Sequence, residues 1–195
     1  MAKKKPSKKK TAKRTVAKKT TRRSAPKRAA KPAQRSAAKP RAAAAASAAD
    51  VGRATPYLCV KGGAAALDFY KKAFGAVEMM RMVGKDGSIG HADIQIEGAQ
   101  VFVSDEWAEG GVFSPQTLGG SAVSIHLYVR DVDAFATRAL KAGASELRAV
   151  ADQPYGDRSG TLRDPFGHRW MVSSKKEEVS KEEMERRFGG AYLVT

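Results

Sequence analysis

The chain has 195 residues and a formal net charge of +16, and that charge arises in the first 49 residues, which hold 18 Lys or Arg and no Asp or Glu. The remaining 18 basic and 20 acidic side chains nearly balance, which excludes a uniformly basic globule. A single cysteine excludes a disulfide framework and fits a cytoplasmic protein, and no run approaches the roughly 18 apolar residues of a membrane span, so no membrane partner is expected.

Residues 1–50 are predicted to form a disordered polycationic tail, because Lys, Arg, Ala and Pro cannot bury enough apolar area to offset backbone entropy. A polycation that neutralises phosphates releases condensed counterions, so we expect non-specific binding to DNA or RNA and a nucleoid-associated protein. In composition the tail resembles those of linker histones. A solubilising extension and a targeting segment are the alternatives. The residues assigned to nucleic-acid contact are Lys3, Lys4, Lys5, Lys8, Lys9, Lys10, Lys13, Arg14, Lys18, Lys19, Arg22 and Arg23.

The rest of the chain, residues 51–195, shows one order of elements twice. The first strand, helix and three strands are predicted at 55–60, 64–74, 77–83, 89–97 and 100–105. After a loop over 107–120 the same order returns at 122–129, 132–141, 146–151, 159–164 and 168–173. Gly75 and Gly143, which end the two helices, are 68 residues apart. The sequence therefore predicts an α+β fold of two tandem βαβββ modules, at about 54–106 and 121–174.

A short C-terminal helix is predicted over 180–188. Ser180 precedes it as the N-cap residue, and Glu183 lies three positions later. This spacing is typical of a capping box, in which each residue bonds the backbone N–H of the other.

Two strands separate an apolar face from an unusual polar face. In the runs HADIQI and SIHLYV, aliphatic residues alternate with His, Asp, Gln, Ser and Tyr. The aliphatic faces are expected beneath the two helices, and the polar faces are expected to line a ligand cleft, with a plain solvated sheet face as the alternative. The residues predicted to line this cleft are Tyr57, His91, Asp93, Asp105, His126, Tyr128 and Arg169.

Four runs of the folded part carry a resemblance to a known family: ATPYLCVKGGAAALDFYKKAFGA, SPQTLGGS, SIHLYVRDVDA and YGDRSGTLRDPFGHRW. They resemble the vicinal oxygen chelate superfamily, and within it the PhnB-like branch of glyoxalase and bleomycin-resistance proteins, over residues 54–188. The resemblance implies paired βαβββ modules whose eight strands curl around a pocket, usually in a homodimer. The superfamily includes metal isomerases, ring-cleaving dioxygenases, thiol transferases and drug-binding proteins, so activity does not follow from fold.

The resemblance also gives an expectation about metal. Metal-dependent members place His, Gln or Glu at one inward position on the first and last strand of each module. The corresponding positions here are Thr55, Val103, Ser124 and Met171. None of these supplies the imidazole or carboxylate donors that a catalytic divalent ion needs, so no cofactor is expected at this site. An atypical metal set remains as an alternative, made of His91, Asp93, Asp105 and His126.

Three functions follow from these observations. The first, which we favour, is a metal-independent small-molecule-binding domain tethered to nucleic acid by the tail. The second is a metal-dependent lyase, isomerase or dioxygenase with an atypical site. The third is a DNA-compacting protein whose folded domain serves as a dimerisation scaffold. Whether the domain is an enzyme is left open by the sequence.

Overall fold

The computed structural model describes residues 52–194, so the predicted nucleic-acid tail lies outside the described residues. The α+β fold of two tandem βαβββ modules is confirmed. The first module consists of β1 (Tyr57–Val60), α1 (Gly63–Phe74), β2 (Val77–Val83), β3 (Ile89–Ile96) and β4 (Ala99–Asp105). The connection carries a 3-10 turn (Ala108–Gly110) and a one-turn helix, α2 (Pro115–Leu118). The second module consists of β5 (Ser124–Tyr128), α3 (Val132–Ala142), β6 (Ser145–Asp152), β7 (Asp157–Arg163) and β8 (Arg169–Lys175), and α4 (Lys181–Arg187) follows it.

Each module forms its own four-stranded sheet, and the two sheets have the same topology. The strand orders are β1-β4-β3-β2 and β5-β8-β7-β6. In both, the first strand runs parallel to the last, and the other neighbours are antiparallel. Tyr57 pairs with Phe102 in the first sheet as His126 pairs with Met171 in the second. The sequence repeat is therefore also a repeat of strand register.

The hydrophobic core is shared by both modules. On β3, Ala92, Ile94 and Ile96 are fully buried beneath α1, as their alternation predicts. Helices α1 and α3 also contact each other, and the rings of Phe74 and Phe135 stack with centroids 5.0 Å apart. Each of these two helices therefore covers one face of its own sheet, and within residues 52–194 neither α1 nor α3 covers the opposite face.

The turn between β7 and β8 joins the modules through one buried carboxylate. Asp164 is 3% exposed, and its Oδ2 accepts hydrogen bonds from the Tyr70 hydroxyl at 2.8 Å and the Trp170 indole N–H at 2.9 Å. Its Oδ1 accepts from the backbone N–H groups of Phe166 and His168. Burial beside this carboxylate raises the pKa of Tyr70 well above its ordinary value. Asp164 is thus fully satisfied and serves packing between modules.

Two local features differ from the sequence prediction. Helix α2 lies inside the predicted loop, where Ser114 caps it by accepting a bond from the Thr117 N–H and Pro115 occupies its first turn. The capping box of α4 is only half formed. Ser180 accepts from the Glu183 N–H at 3.2 Å, but the Glu183 carboxylate pairs with Arg187 at 2.7 Å. No helix within residues 52–194 is long and apolar enough to cross a membrane.

Candidate functional site

The helix-free face of the first sheet, here called the first open face, brings three predicted site residues together. Tyr57 on β1 and Asp93 on β3 flank Phe102 of β4 in register. The Tyr57 hydroxyl lies 2.8 Å from Nδ1 of His91, and its ring meets Phe102 edge-on at 5.6 Å. Tyr57 is nevertheless 54% exposed on this side of the sheet.

Asp93 contributes a buried acceptor to the first open face. Its Oδ2 accepts a hydrogen bond from Nε2 of Gln100 at 2.8 Å. Its Oδ1 is buried and has no hydrogen-bond partner among the described residues. An unsatisfied buried acceptor costs about 1–3 kcal/mol, so this oxygen favours a bound group that donates a hydrogen bond.

Strand β2 adds exposed apolar side chains to the first open face. Met80 pairs with Asp93 and Met82 pairs with His91 across β2 and β3. The two methionines are 46% and 59% exposed. Contiguous exposed apolar side chains mark a surface that contacts a ligand or another protein chain.

The equivalent face of the second sheet, the second open face, carries a hydrogen-bonded network instead. Nε2 of His126 lies 2.8 Å from Oγ of Ser173, and the His126 ring stacks on Tyr128 at 4.8 Å. The Tyr128 hydroxyl donates to Asp157 at 2.9 Å. This hydrogen bond to a carboxylate raises the pKa of Tyr128. His126 and Tyr128 therefore lie together, as predicted from strand alternation, and the network fixes the orientation of both rings.

Asp157 and Ser173 are parts of this network that the sequence did not assign to the site. Asp157 is 3% exposed, and Lys175 Nζ lies 3.8 Å from its Oδ1. Strand β7 begins at Asp157, whereas the sequence prediction began it at Ser159. With the correct start, parity would have placed Asp157 on the same face as Ser159. Ser173 lies two residues after Met171 on β8 and therefore shares its face, so the same parity could have identified it.

The predicted site residue Arg169 lies on the second open face at the amino end of β8. Its register partners are Ser124 on β5 and Arg163 on β7. Arg158, on the other face of β7, binds Asp133 through Nε and Nη2 at 2.7 and 2.8 Å. Arg158 therefore ties the sheet to α3, whereas Arg169 remains exposed.

The prediction that Asp105 shares a face with His91 and Asp93 is wrong, although Asp105 does line the cavity of about 690 Å³ beside β1 and β4. Asp105 pairs with the buried Val60, and both of its oxygens accept backbone hydrogen bonds. Oδ1 accepts from the N–H groups of Gly62 and Gly63 at 2.9 and 2.7 Å, and Oδ2 accepts from Ile89 at 2.7 Å. Asp105 satisfies amides at the start of α1, which explains an acid at the end of this strand.

The assignment of Val103 to an inward position is also wrong. Val103 is fully buried on the helix side of its sheet, where it pairs with Leu58 and Ala92. The strand register makes Phe102 the equivalent of Met171. The usual metal positions therefore correspond to Thr55, Phe102, Ser124 and Met171, and this set does not fit a divalent metal, because it offers no imidazole or carboxylate.

The alternative metal set is not assembled within one chain. Among residues 52–194, no group of three or more His, Cys, Asp or Glu side chains is placed to hold a metal ion. His91 and Asp93 lie on the first open face, His126 lies on the second, and the Asp105 oxygens are occupied by backbone amides.

A cavity of about 690 Å³ borders the first open face beside the carboxyl ends of β1 and β4. Its lining includes Tyr57, Cys59, Ser104 and Trp107. The Cys59 thiol is partly buried there, and this burial raises its pKa, so the thiol is a weak nucleophile at neutral pH. The volume is that of a site for a small organic molecule.

The comparisons with known proteins concern the region of the two modules. The family model of the Glyoxalase/Bleomycin resistance protein/Dioxygenase superfamily matches residues 44–172. An uncharacterised protein of Mycobacterium bovis is 45% identical over 134 residues, which are 67% of this chain and 88% of that protein.

Two solved structures are similar in fold. TioX from Micromonospora sp. ML1 superposes with a TM-score of 0.52 at 25% identity, covering 66% of this chain and 99% of that one. A gene product of Arabidopsis thaliana superposes with a TM-score of 0.51 at 27% identity, covering 62% of this chain and 97% of that one.

Proposed function

The chain belongs to the glyoxalase/bleomycin resistance protein/dioxygenase superfamily, and from this premise we propose that its folded domain binds a small organic molecule without a divalent metal. The observation that carries the proposal is the contrast within the open faces. The four positions equivalent to the usual metal ligands hold Thr55, Phe102, Ser124 and Met171. The neighbouring positions hold ordered aromatic and imidazole side chains that suit contact with an organic ligand.

The geometry supports binding in two ways. Tyr57 and Tyr128 each present an apolar ring whose hydroxyl is held by a protein partner, so the rings are oriented before a ligand arrives. The cavity beside Cys59 and Trp107 offers concave apolar surface next to the first open face.

The proposed active form is a homodimer. Met80, Met82 and Tyr57 leave a large apolar surface exposed on the first open face of a single copy. A second copy that covers this surface would bury these side chains and enclose the ligand site. The same arrangement would bring the unpaired Oδ1 of Asp93 close to donors from the second copy.

The polycationic segment supports a second, separable part of the proposal, which is non-specific binding to DNA or RNA. Residues 1–49 contain 18 basic side chains and no acidic ones. Residues 50–195 have no comparable excess of charge, since they contain 18 basic and 20 acidic side chains. Phosphate contacts of the tail would therefore hold the ligand-binding domain, which has little net charge of its own, on the nucleoid.

The test of ligand binding uses the full chain after treatment with a chelator. A library of small organic molecules is screened by thermal shift, and the dissociation constants of the hits are measured for wild type and His126→Ala. We expect a loss of about tenfold for His126→Ala, because the stacked ring and its hydrogen bond contribute about 1–2 kcal/mol. Lys141→Ala on the exposed side of α3 is the matched control and should bind as wild type. Hits that bind both variants equally, or that bind only after metal is added, would contradict the proposal.

The test of nucleic-acid binding measures the affinity of the full chain for a DNA duplex as a function of salt. The logarithm of affinity should fall linearly with the logarithm of salt, with a slope of roughly −0.9 per phosphate contacted. Replacing Lys8, Lys9 and Lys10 with Gln should flatten the slope, and replacing Lys72 and Lys141 of the folded domain should not. If both variants have the same slope, the assignment of nucleic-acid contacts to the tail would be contradicted.

A further inference from the structure

Four polar side chains form a row across the four strands of the second open face, at the end of the sheet where β8 begins. Ser124 on β5 pairs with Arg169 on β8, Arg169 pairs with Arg163 on β7, and Arg163 pairs with Ser145 on β6. All four residues are exposed. Neighbouring strands are about 4.8 Å apart, so the two arginines are adjacent in the sheet with a serine on each flank.

The two arginines have neither a carboxylate partner nor a side-chain hydrogen bond among the described residues. Within residues 52–194, neither Arg163 nor Arg169 has a carboxylate oxygen within 4.0 Å. Two of the other three strand arginines have carboxylate partners, since Arg81 binds Glu78 and Arg158 binds Asp133. Arg148 has no carboxylate partner among the described residues, but it donates hydrogen bonds to Ser159 and Gln153, whereas no side-chain hydrogen bond within residues 52–194 involves Arg163 or Arg169. Like charges directly opposite each other destabilise a sheet. A ligand that lies between the arginines and neutralises them would offset this repulsion.

One end of the row borders a shallow cavity. This cavity of about 390 Å³ is lined by Arg163 and Ser145 together with Gln116 and Gly120 of the connecting segment, and Arg169 and Ser124 lie outside its lining. Asp164 also borders this cavity, but its oxygens already accept four protein hydrogen bonds. The charge that faces the cavity from the row is therefore positive.

We propose that the row of Ser124, Arg169, Arg163 and Ser145 binds the carboxylate or phosphate group of the domain's ligand. Two guanidinium forks bind such a group through paired hydrogen bonds, and the flanking hydroxyls can donate to its outer oxygens. The next row on the same face holds His126 and Met171, which would contact the organic part of the ligand. This inference rests on the proposed function and narrows the ligand to an organic anion.

The experiment measures binding of three probes to the full chain by NMR of the arginine Nε–Hε groups: phenyl phosphate, benzoate and neutral benzyl alcohol. We expect both anions to shift the signals of Arg163 and Arg169 and to bind at least tenfold more tightly than benzyl alcohol, and the stronger anion identifies the phosphate or carboxylate class. Arg163→Gln and Arg169→Gln should each weaken anion binding by about tenfold. Arg130→Gln, an exposed arginine outside the row, is the matched control and should bind within about twofold of wild type. Unchanged anion affinity in the double variant would overturn the proposal.

A second readout follows from the repulsion between the arginines. In a buffer without multivalent anions, Arg169→Gln should melt about 1–3 °C above wild type, because the like-charge pair is removed. Saturating phenyl phosphate should raise the Tm of wild type and leave that of the double variant unchanged. Equal stabilisation of both proteins by phenyl phosphate would contradict the proposal, and so would dissociation of a dimer in the double variant without a change in anion affinity.

The outcomes separate this inference from the proposed function. Library hits that depend on His126 but not on the arginines would uphold small-molecule binding and overturn the anion site. If anion affinity depends on the arginines but the affinity of the library hits is unchanged in His126→Ala, the anion site would be supported and the proposed small-molecule-binding surface contradicted.

Discussion

The two modules have the same strand order, register and helix position, yet their open faces have different chemistry. The first open face presents Met80, Met82 and Phe102 around a partly buried acid, Asp93. The second presents a hydrogen-bonded network and two uncompensated arginines. The helix-facing sides of the two sheets are alike in chemistry, because both sheets bury aliphatic side chains there.

The difference between the faces has a physical cause. The helix-facing positions must fill a shared core at high density, so their size and polarity are constrained in both modules. The open faces are not packed against α1 or α3 in the part of the chain that the structure describes, so their side chains can diverge without a large cost in stability. In a duplicated fold, the positions where the repeats differ most in chemistry are therefore the best candidates for function.

The largest loss of stability is expected at Asp164, which joins the two modules, and not at the open faces, where the modules differ. Asp164→Ala leaves the Tyr70 hydroxyl, the Trp170 indole and two backbone amides without an acceptor, so we expect a loss of about 3 kcal/mol or more in the free energy of unfolding. Urea denaturation measures this loss. Asp86→Ala, which removes a hydrogen bond in an exposed turn, should cost less than about 1 kcal/mol. A similar small loss for Asp164→Ala would show that the modules are not joined by this carboxylate.

The first open face should govern association of two chains. Replacing Met80 and Met82 with Ser removes apolar surface from this face, so we expect the dimer dissociation constant to rise at least tenfold, measured by sedimentation velocity. The exposed apolar side chain of Leu193, near the carboxyl terminus, gives the control variant Leu193→Ser. If both variants associate as wild type does, the first open face is not the dimer surface.

The two tyrosines test whether the second open face is the more ordered. Tyr128→Phe leaves the buried Asp157 without its hydroxyl donor, so the free energy of unfolding should fall by about 1–2 kcal/mol. Tyr57→Phe removes an exposed hydrogen bond to His91 and should cost about 0.5 kcal/mol or less. Equal losses in urea denaturation would contradict the difference between the faces.

The smallest effect concerns the segment that connects the modules. Hydrogen bonds from the hydroxyl and the backbone N–H of Ser114 hold the pKa of Glu106 at about 2, below its ordinary value of 4.5. Because the folded-state pKa is lowered, this contact stabilises the segment above about pH 4.5 and is lost as the pH falls through about 2. The amide chemical shift of Ser114 should titrate with that midpoint in wild type and not in Glu106→Gln. A midpoint near 4.5 would show that the contact does not form.

The fold could be predicted from the sequence because its signals are local. Alternation fixed the faces of β3 and β5, and the glycines Gly75 and Gly143 marked the helix ends. Helix α2 was not predicted, because four residues are too few to show a periodic pattern, although Ser114 followed by Pro115 is typical of a helix start.

The site was predicted less completely, because it depends on register and on contacts between distant residues. Val103 was assigned one position away from Phe102, and one residue in a strand is the difference between core and open face. Asp105 was assigned to the wrong face of its strand, because an acid at a strand end gives the same sequence pattern whether it faces a ligand or accepts hydrogen bonds from a helix start. The bond from Tyr128 to Asp157 joins residues 29 positions apart, which alternation does not reveal.

The central claim is binding of an organic ligand without a divalent metal, and metal retention tests it most directly. The full chain is loaded separately with zinc, nickel and manganese, dialysed, and analysed for metal content. We predict far less than one ion per chain for each metal, because the positions equivalent to the usual ligands offer no imidazole or carboxylate. Retention of close to one ion per chain, lost in His91→Ala or His126→Ala, would contradict the claim and establish a metal centre shared between copies.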